Sequence, residues 1–401
     1  MLKTRVVAIL LLLLPVSLLS HAEAKSGNDF EIIKTGIQGG VCWYDESHFV
    51  VIKGQPSAPE QEFEMEGLYY LDPNKPKDLK RIDLSPIDPN LQKRIHTVSC
   101  QEQTIVFHLR NNESGLNRIY GLKIGAQPEL IAEMRGGSVN LVGQYVVGQF
   151  RRAGAIEAEG FQGTRIYEAH PDCSVKYVKP GLKTLCLDTW MESGWSASHF
   201  RVVEYKWYET ILVRDKNGQE KRVPNPESPL KLADGTELKH GYLLRNLDNR
   251  LVQQVKLEQS PYQVYRIPLR LDPQGEYLYA NCSKAGDHGN KPMGMGGRVC
   301  RYRLDGTNHT WEEVFAVQQS SKDRFSLQDL DVNERGDVVV IDRGHSLNQS
   351  LWKYTASARK VEFVTRAPLD LGGGLLSPNG QWVSFNLRGE LHFAYHKGTR
   401  P

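Results

Sequence analysis

Leu376-Ser377-Pro378-Asn379-Gly380-Gln381-Trp382-Val383-Ser384-Phe385 is a tight turn that runs straight into an aromatic and β-branched strand. Proline presets its own backbone angle, glycine accepts a positive one, and the residues that follow suit a buried strand. The pattern returns in Leu271-Asp272-Pro273-Gln274-Gly275-Glu276-Tyr277-Leu278-Tyr279. A third copy, Val332-Asn333-Glu334-Arg335-Gly336-Asp337-Val338-Val339, lacks the proline.

Strands of this kind recur along the whole chain. The first runs are Phe49-Val50-Val51-Ile52, Ile105-Val106-Phe107, Tyr145-Val146-Val147, Val202-Val203-Glu204-Tyr205, Tyr277-Leu278-Tyr279, Val338-Val339-Val340-Ile341 and Trp382-Val383-Ser384-Phe385. Each is followed, after a loop, by a partner: Leu68-Tyr69-Tyr70, Ile119-Tyr120, Ile166-Tyr167, Ile211-Leu212-Val213, Val299-Cys300-Arg301-Tyr302, Leu351-Trp352 and His392-Phe393. Repetition on this scale marks an array of small sheets, and the expected fold is an all-β single β-propeller. The turn signature resembles the WD40-like (PD40) repeats of the TolB-type propeller family. That resemblance implies the blade type and little about function. Blade strands begin almost at once, so a propeller without the family's separate N-terminal domain is expected, and that family's partners are not carried over.

The strand list predicts seven blades, with six or eight as the alternatives because residues 224–262 do not repeat cleanly. That stretch holds two hairpin-like pieces, Leu232 to Leu238 and Tyr242 to Val255, and reads as an insertion after the fourth blade. Too few residues follow Tyr395 for another strand, whereas Phe30-Glu31-Ile32-Ile33 stands alone before the first blade. The expectation is that this strand completes the last blade and removes the exposed edges.

Residues 1–24 read as an export signal. Lys3 and Arg5 precede an apolar stretch from Val6 to Leu19, and Ala22-Glu23-Ala24 offers a small-x-small cleavage site. The run is short for a membrane span, which needs roughly 20 residues, and no cysteine follows it to carry a lipid. Cleavage would leave residues 25–401 as one propeller domain, expected to be periplasmic or secreted, monomeric and not inserted in a membrane. Loss of Lys3, Arg5 and Glu23 takes the formal charge from +3 to +2, a balance that offers no electrostatic case for nucleic acid.

An even set of cysteines in an exported chain favours disulfides. Cys282 and Cys300 flank one loop between adjacent strands, and Cys42 and Cys100 end first strands of neighbouring blades. Cys173 and Cys186 remain as the third pair. Other chemistry-bearing patterns are weak. Met293 and Met295 with His288 lie in a Gly-rich loop without metal-ligand spacing. Gly194-Trp195-Ser196-Ala197-Ser198 lacks the last glycine of a nucleophile elbow. Asp215-Lys216-Asn217-Gly218 suits a hairpin turn better than a calcium loop. Asn112, Asn281, Asn308 and Asn348 would be glycan acceptors only in a eukaryotic secretory pathway.

No catalytic residue, cofactor or metal site is assigned. The long connections after second strands (53–66, 151–163, 281–297 and the insertion) are expected to share one face. Binding usually lives on loops carried by a rigid scaffold. The leading expectation is therefore a binding or scaffold module that takes a protein or an extracellular polymer such as a polysaccharide on that face. The alternative is an enzyme acting on a sugar or lactone at the central channel.

Overall fold

The computed structural model describes residues 25–27, 29–55, 64–88, 95–101, 103–111, 116–135, 138–142, 144–150, 155–158, 161–165, 175–188, 192–196, 200–232, 234–246, 251–255, 258–259, 261–284, 297–304, 310–317, 326–343, 348–368 and 370–399. Residues 1–24 lie outside them. Among the described residues the regular structure is entirely β.

The strands form small sheets that succeed one another along the chain. The first sheet joins Gly40–Trp43, Phe49–Gln55, Glu64–Leu71 and Lys80–Arg81. The second joins Ile95–Gln101, Thr104–Asn111, Leu116–Leu122 and Glu129–Arg135, with Val175–Val178 added outside. In the third, Ser138–Val142 and Tyr145–Phe150 are followed by Lys183–Asp188, which runs parallel to its neighbour. The fourth holds Glu192–Ser196, Phe200–Lys206, His240–Asn246 and Leu251–Val255. The fifth holds Tyr262–Leu271, Tyr277–Lys284, Arg298–Arg303 and Trp311–Ala316. The sixth holds Ser326–Val332, Val338–Arg343, Asn348–Thr355 and Lys360–Pro368.

The last sheet consists of Leu371–Leu376, Trp382–Leu387 and Glu390–His396, and Phe30–Gln38 supplies its outer strand. Phe30 sits opposite His396 and Ile33 opposite Phe393. The expected closing strand is thus paired where the sequence placed it.

Alternation along each strand explains the apolar runs. Val338 and Val340 pack with Tyr279 and Phe315 of the fifth sheet, whereas Val339 and Ile341 pack with Phe385 and Leu376 of the last. A strand covered on both faces has no solvent side to populate with polar residues. Trp382, Phe393 and Tyr395 of the last sheet in turn pack on Trp43, Phe49 and Val51 of the first. The succession of sheets therefore returns to its start, as in a β-propeller.

The fourth sheet departs from expectation. Its second strand pairs with His240–Asn246, with Val203 opposite Leu243, and Tyr242 pairs back with Val255. The stretch Tyr242 to Val255 is therefore blade structure, and the excursion from this sheet spans 207–239 instead of 224–262. Ile211 and Val213 pair with Val223 and Lys221 through the local Asp215-to-Gly218 turn, not with 202–205. Two hairpins compete for one stretch here, and the residues Tyr242-Leu243-Leu244, buried on both faces, take the blade position. Ile166 and Tyr167 lie outside the described residues.

The turn copies share a device that proline and glycine alone do not reveal. Asp272 Oδ1 accepts from Tyr277 N (2.8 Å), Asn333 Oδ1 from Asp337 N (3.0 Å) and Ser377 Oγ from Trp382 N (3.0 Å). Gly275, Gly336 and Gly380 follow at φ 71°, 75° and 69°, each donating to the carbonyl of that leading residue. Neighbouring turns are then tied together. Gln274 Nε2 donates to Glu334 O (3.2 Å), Asn333 Nδ2 to Ser377 O (3.4 Å) and Lys353 Nζ to Gly380 O (2.5 Å).

A Cβ at Gly380 would run into Asp337 Oδ2, whereas one at Gly125, also at positive φ, would meet nothing within 4 Å. Gly125→Ala should lower stability by about 1–2 kcal/mol, from the left-handed backbone alone. Gly380→Ala must also displace a buried hydrogen-bonded carboxylate, so its cost should exceed that by about 1–3 kcal/mol. Urea unfolding of both variants checks this; equal losses would contradict the stacked-turn account.

Candidate functional site

Each second strand runs away from its short first turn, so the connections that leave second strands emerge at one end of the sheets. In the last sheet this connection is only Arg388-Gly389. In the third and fourth sheets it becomes the excursions 151–182 and 207–239. Moving the insertion from 224–262 to 207–239 keeps it on this end.

The two excursions are built structures that meet each other. Ala155–Ala158 and Phe161–Arg165 form a hairpin from the third sheet, and Thr210–Arg214 and Glu220–Pro224 form one from the fourth. Thr164 pairs with Arg214 and Arg165 with Val213, which makes one accessory four-stranded sheet. The second excursion then turns back as a small hairpin, Leu230–Lys231 with Glu237–Leu238. Leu230, Leu232 and Leu238 cluster with Tyr205, Trp207 and Leu243 of the fourth sheet and its edge. Tyr205 Oη accepts from Leu230 N (2.9 Å), Trp207 Nε1 donates to Glu227 O (2.8 Å), and Lys239 Nζ lies 5.3 Å from the Trp207 ring centroid.

Exposed large apolar side chains among the described residues are Val175 (42 %), Tyr177 (40 %) and Tyr208 (48 %). All three belong to the two excursions. Val175 and Tyr177 lie on the strand added outside the second sheet, opposite Met134 and Glu133, and Tyr208 lies at the start of the second excursion; elsewhere the described chain buries or half-buries such groups.

Below this end of the sheets lies a feature that reading for loops and motifs misses. Aligning the second strands by the residues paired beside their turns puts His108, Asn281 and Asn386 at equivalent places near the strand end, with Asp342 one residue further along and so on the opposite face. His108, Asn281 and Asp342 are buried, and Asn386 is half-buried. Asn281 Oδ1, Asp342 Oδ1 and Asn386 Oδ1 are enclosed oxygens without a hydrogen-bond partner. Such atoms mark sites where internal water belongs. A polar residue recurring in an otherwise apolar strand was the available signal. Asp342 Oδ2 accepts from Trp352 Nε1. Burial pushes the Asp342 carboxyl up to about 6, against the pull of that indole donor and of the nearby Arg366 charge.

On the innermost strands, charged groups serve the neighbouring backbone. Asp329 Oδ2 accepts from Gly374 N (3.1 Å) and Asp331 Oδ2 from Leu376 N (3.0 Å), while Arg270 Nε donates to Leu330 O (2.9 Å). These groups fasten the fifth, sixth and last sheets together. They are not an open acidic ring. Burial also raises the Asp331 carboxyl to about 6.

The residues singled out from sequence fall as follows. Cys42 is bonded to Cys100, which staples the innermost strands of the first and second sheets (Cα–Cα 5.8 Å). Cys282 is bonded to Cys300 across the second and third strands of the fifth sheet (Cα–Cα 5.9 Å). Cys186 lies on Lys183–Asp188, and Cys173 falls outside the described residues. So do His288, Met293, Met295, Asn112 and Asn308. Gly194 to Ser196 belong to an innermost strand, Glu192–Ser196, and not to a strand-to-helix elbow. Asp215 Oδ1 is occupied by the Asn217 and Gln219 amides (2.8 and 2.9 Å), as a hairpin turn requires. Asn281 is sealed in the core and offers no glycan site in the folded chain, and Asn348 is half-buried. Two disulfides fit an oxidising compartment. Among the described residues no helix is long and apolar enough to cross a membrane.

No protein-family model matches the chain, and no curated protein matches it in sequence. Its shape is similar to several solved propellers. The β-propeller domain of the Trilobed protease from Pyrococcus furiosus aligns at TM-score 0.44 and 10 % identity, covering 93 % of this chain and 95 % of that one. An oligogalacturonate lyase from Vibrio parahaemolyticus aligns at TM-score 0.44 and 10 % identity, over 93 % and 96 %. A TolB-like protein of Agrobacterium tumefaciens aligns at TM-score 0.32 and 11 % identity, over 93 % and 99 %. Likeness this distant says nothing about activity. The fold assignment rests on the strand pairing and on the packing of sheet against sheet.

Asp342 supplies a pH test of polar burial in the second strands. Its folded pKa, about 6, lies above the unfolded value near 3.9. Above pH 6 the folded chain carries the penalty of a buried charge. As pH falls toward 4 the folded state takes up a proton that the unfolded chain does not. Its contribution to stability should therefore rise by up to about 3 kcal/mol over that window and level off below it. Asp342→Asn keeps an acceptor for the indole and removes the titration. Urea midpoints should show wild type gaining on the variant between pH 7 and pH 4; parallel profiles would sink the idea.

Proposed function

We propose that the chain is an exported binding module whose sheets form a seven-bladed propeller, and that it engages a protein partner through the end from which residues 151–182 and 207–239 emerge. One observation carries the reading. Two long excursions, separate in sequence, pair with each other and carry the exposed Val175, Tyr177 and Tyr208. Surface drift gives isolated loops; a joint sheet with its own anchoring cluster is a maintained structure. Exposed tyrosines give large, stiff contact area, as protein interfaces use. An extracellular polymer is the alternative occupant of the same surface. The reading as a channel enzyme gains no support, because Asp329 and Asp331 are engaged by the backbone amides of Gly374 and Leu376. Export rests on the leader-like residues 1–24 and the paired cysteines, and disulfide bonding of Cys173 with Cys186 belongs to the same proposal.

The test is capture from an envelope extract with the mature chain and with a Val175→Ser/Tyr177→Ala/Tyr208→Ala variant. These side chains are exposed, so the melting temperature should stay within about 2 °C, as surface changes cost under ~0.5 kcal/mol. Partner recovery should fall about tenfold or more, the loss of at least 1.4 kcal/mol of binding. An unchanged partner set would contradict the assignment, and retention of polysaccharide in place of protein would move it to a polymer.

A further inference from the structure

We propose that Asp29, Glu362 and His396 form a zinc(II) site that clips the N-terminal strand, the last sheet and the sixth sheet together. One ligand atom from each residue lies within 4.8 Å of the others. Asp29 immediately precedes the closing strand, His396 ends the third strand of the last sheet, and Glu362 lies on the fourth strand of the sixth. The three segments come from remote parts of the chain, so their convergence is a product of the fold.

The imidazole is already aimed. His396 Nδ1 lies 3.0 Å from Lys397 O, and a carbonyl can only accept, so the ring proton belongs on Nδ1. Nε2 then points at Glu362 Oε1, 3.5 Å away. Either a proton on Nε2 or a cation held between the two atoms satisfies that contact. Anchoring one ring nitrogen on a carbonyl while the other binds metal is the usual support for a histidine ligand. An edge contact with Phe30 (centroids 5.6 Å) fixes the ring further, and Lys397 N donates to Asp29 O (2.8 Å), holding two ligand-bearing segments in register.

Lys360 Nζ now lies 2.6 Å from Glu362 Oε1 and supplies the positive charge. Its side chain is long and exposed, so a dication can displace it. Two carboxylates and one zinc ion then balance in charge, with a water completing four-coordination. An imidazole with only two carboxylates suits zinc over calcium or magnesium, which ask for six or more oxygens. The site lies at the end of the sheets opposite the accessory four-stranded sheet. Its expected role is structural, and it stands or falls independently of partner binding.

Metal-free mature chain titrated with zinc chloride should bind one equivalent and melt at a higher temperature, whereas calcium chloride should leave the melt unchanged. His396→Ala should weaken zinc binding by about tenfold or more. Should that variant fail to fold, Glu362→Gln, which keeps the size of this largely buried side chain, gives the same reading. Lys360→Met removes the competing ammonium and should tighten binding. Absence of zinc binding, or binding that neither His396→Ala nor Glu362→Gln weakens, would overturn the site.

Discussion

The pairing of Phe30–Gln38 with Glu390–His396 is the constraint on which the rest depends. Without it, the third strand of the last sheet would present a free edge, and such edges invite association between chains. Phe30 is buried between the last and sixth sheets, so the latch contributes apolar burial as well as hydrogen bonds. It is also irregular where it must be. The ladder is interrupted between Lys34 and Gln38, and there Thr35 Oγ1 donates to Leu391 O (2.7 Å) while Gly36 N donates to Glu390 Oε1 (2.9 Å). Side chains thus replace the missing ladder bonds. Gly39, at φ 88°, then turns the chain into the first sheet, with its carbonyl accepting from Ile52 N (3.0 Å).

The two ends of the sheets do different work. At one end, turns built on Asp272, Asn333 and Ser377 interlock from sheet to sheet, and a glycine there faces a carboxylate at close range. Such packing leaves little room for elaboration. At the other end, strand connections are free to lengthen, and the third and fourth sheets use that freedom for a shared accessory sheet. Between the ends, the Cys42–Cys100 bond holds the first two sheets at their inner strands. Asp329, Asp331 and Arg270 do the corresponding work for the fifth to last sheets through hydrogen bonds.

Strands with apolar residues on both faces were legible, because Val338 to Ile341 and Trp382 to Phe385 admit few other readings. So was the closing strand, since a lone Phe30-Glu31-Ile32-Ile33 and a short C-terminal remainder complete one another. The fourth sheet was not. Ile211-Leu212-Val213 and Tyr242-Leu243-Leu244 are equally apolar, and only tertiary pairing decides which enters the blade. The polar residues His108, Asn281 and Asn386 recur at one position of the repeat, but their enclosure comes from the packing of sheet on sheet, which spacing alone does not show. The cluster of Asp29, Glu362 and His396 has no sequence spacing at all. Ring closure creates it, so no motif could announce it.

Hydrogen exchange on the mature chain tests the closing strand most directly. If residues 30–38 are an integral strand, their amides should exchange with the same free energy of opening as those of 390–396, in one cooperative unit. Fast exchange of 30–38 beside a protected 390–396 would show a dispensable arm and contradict the account.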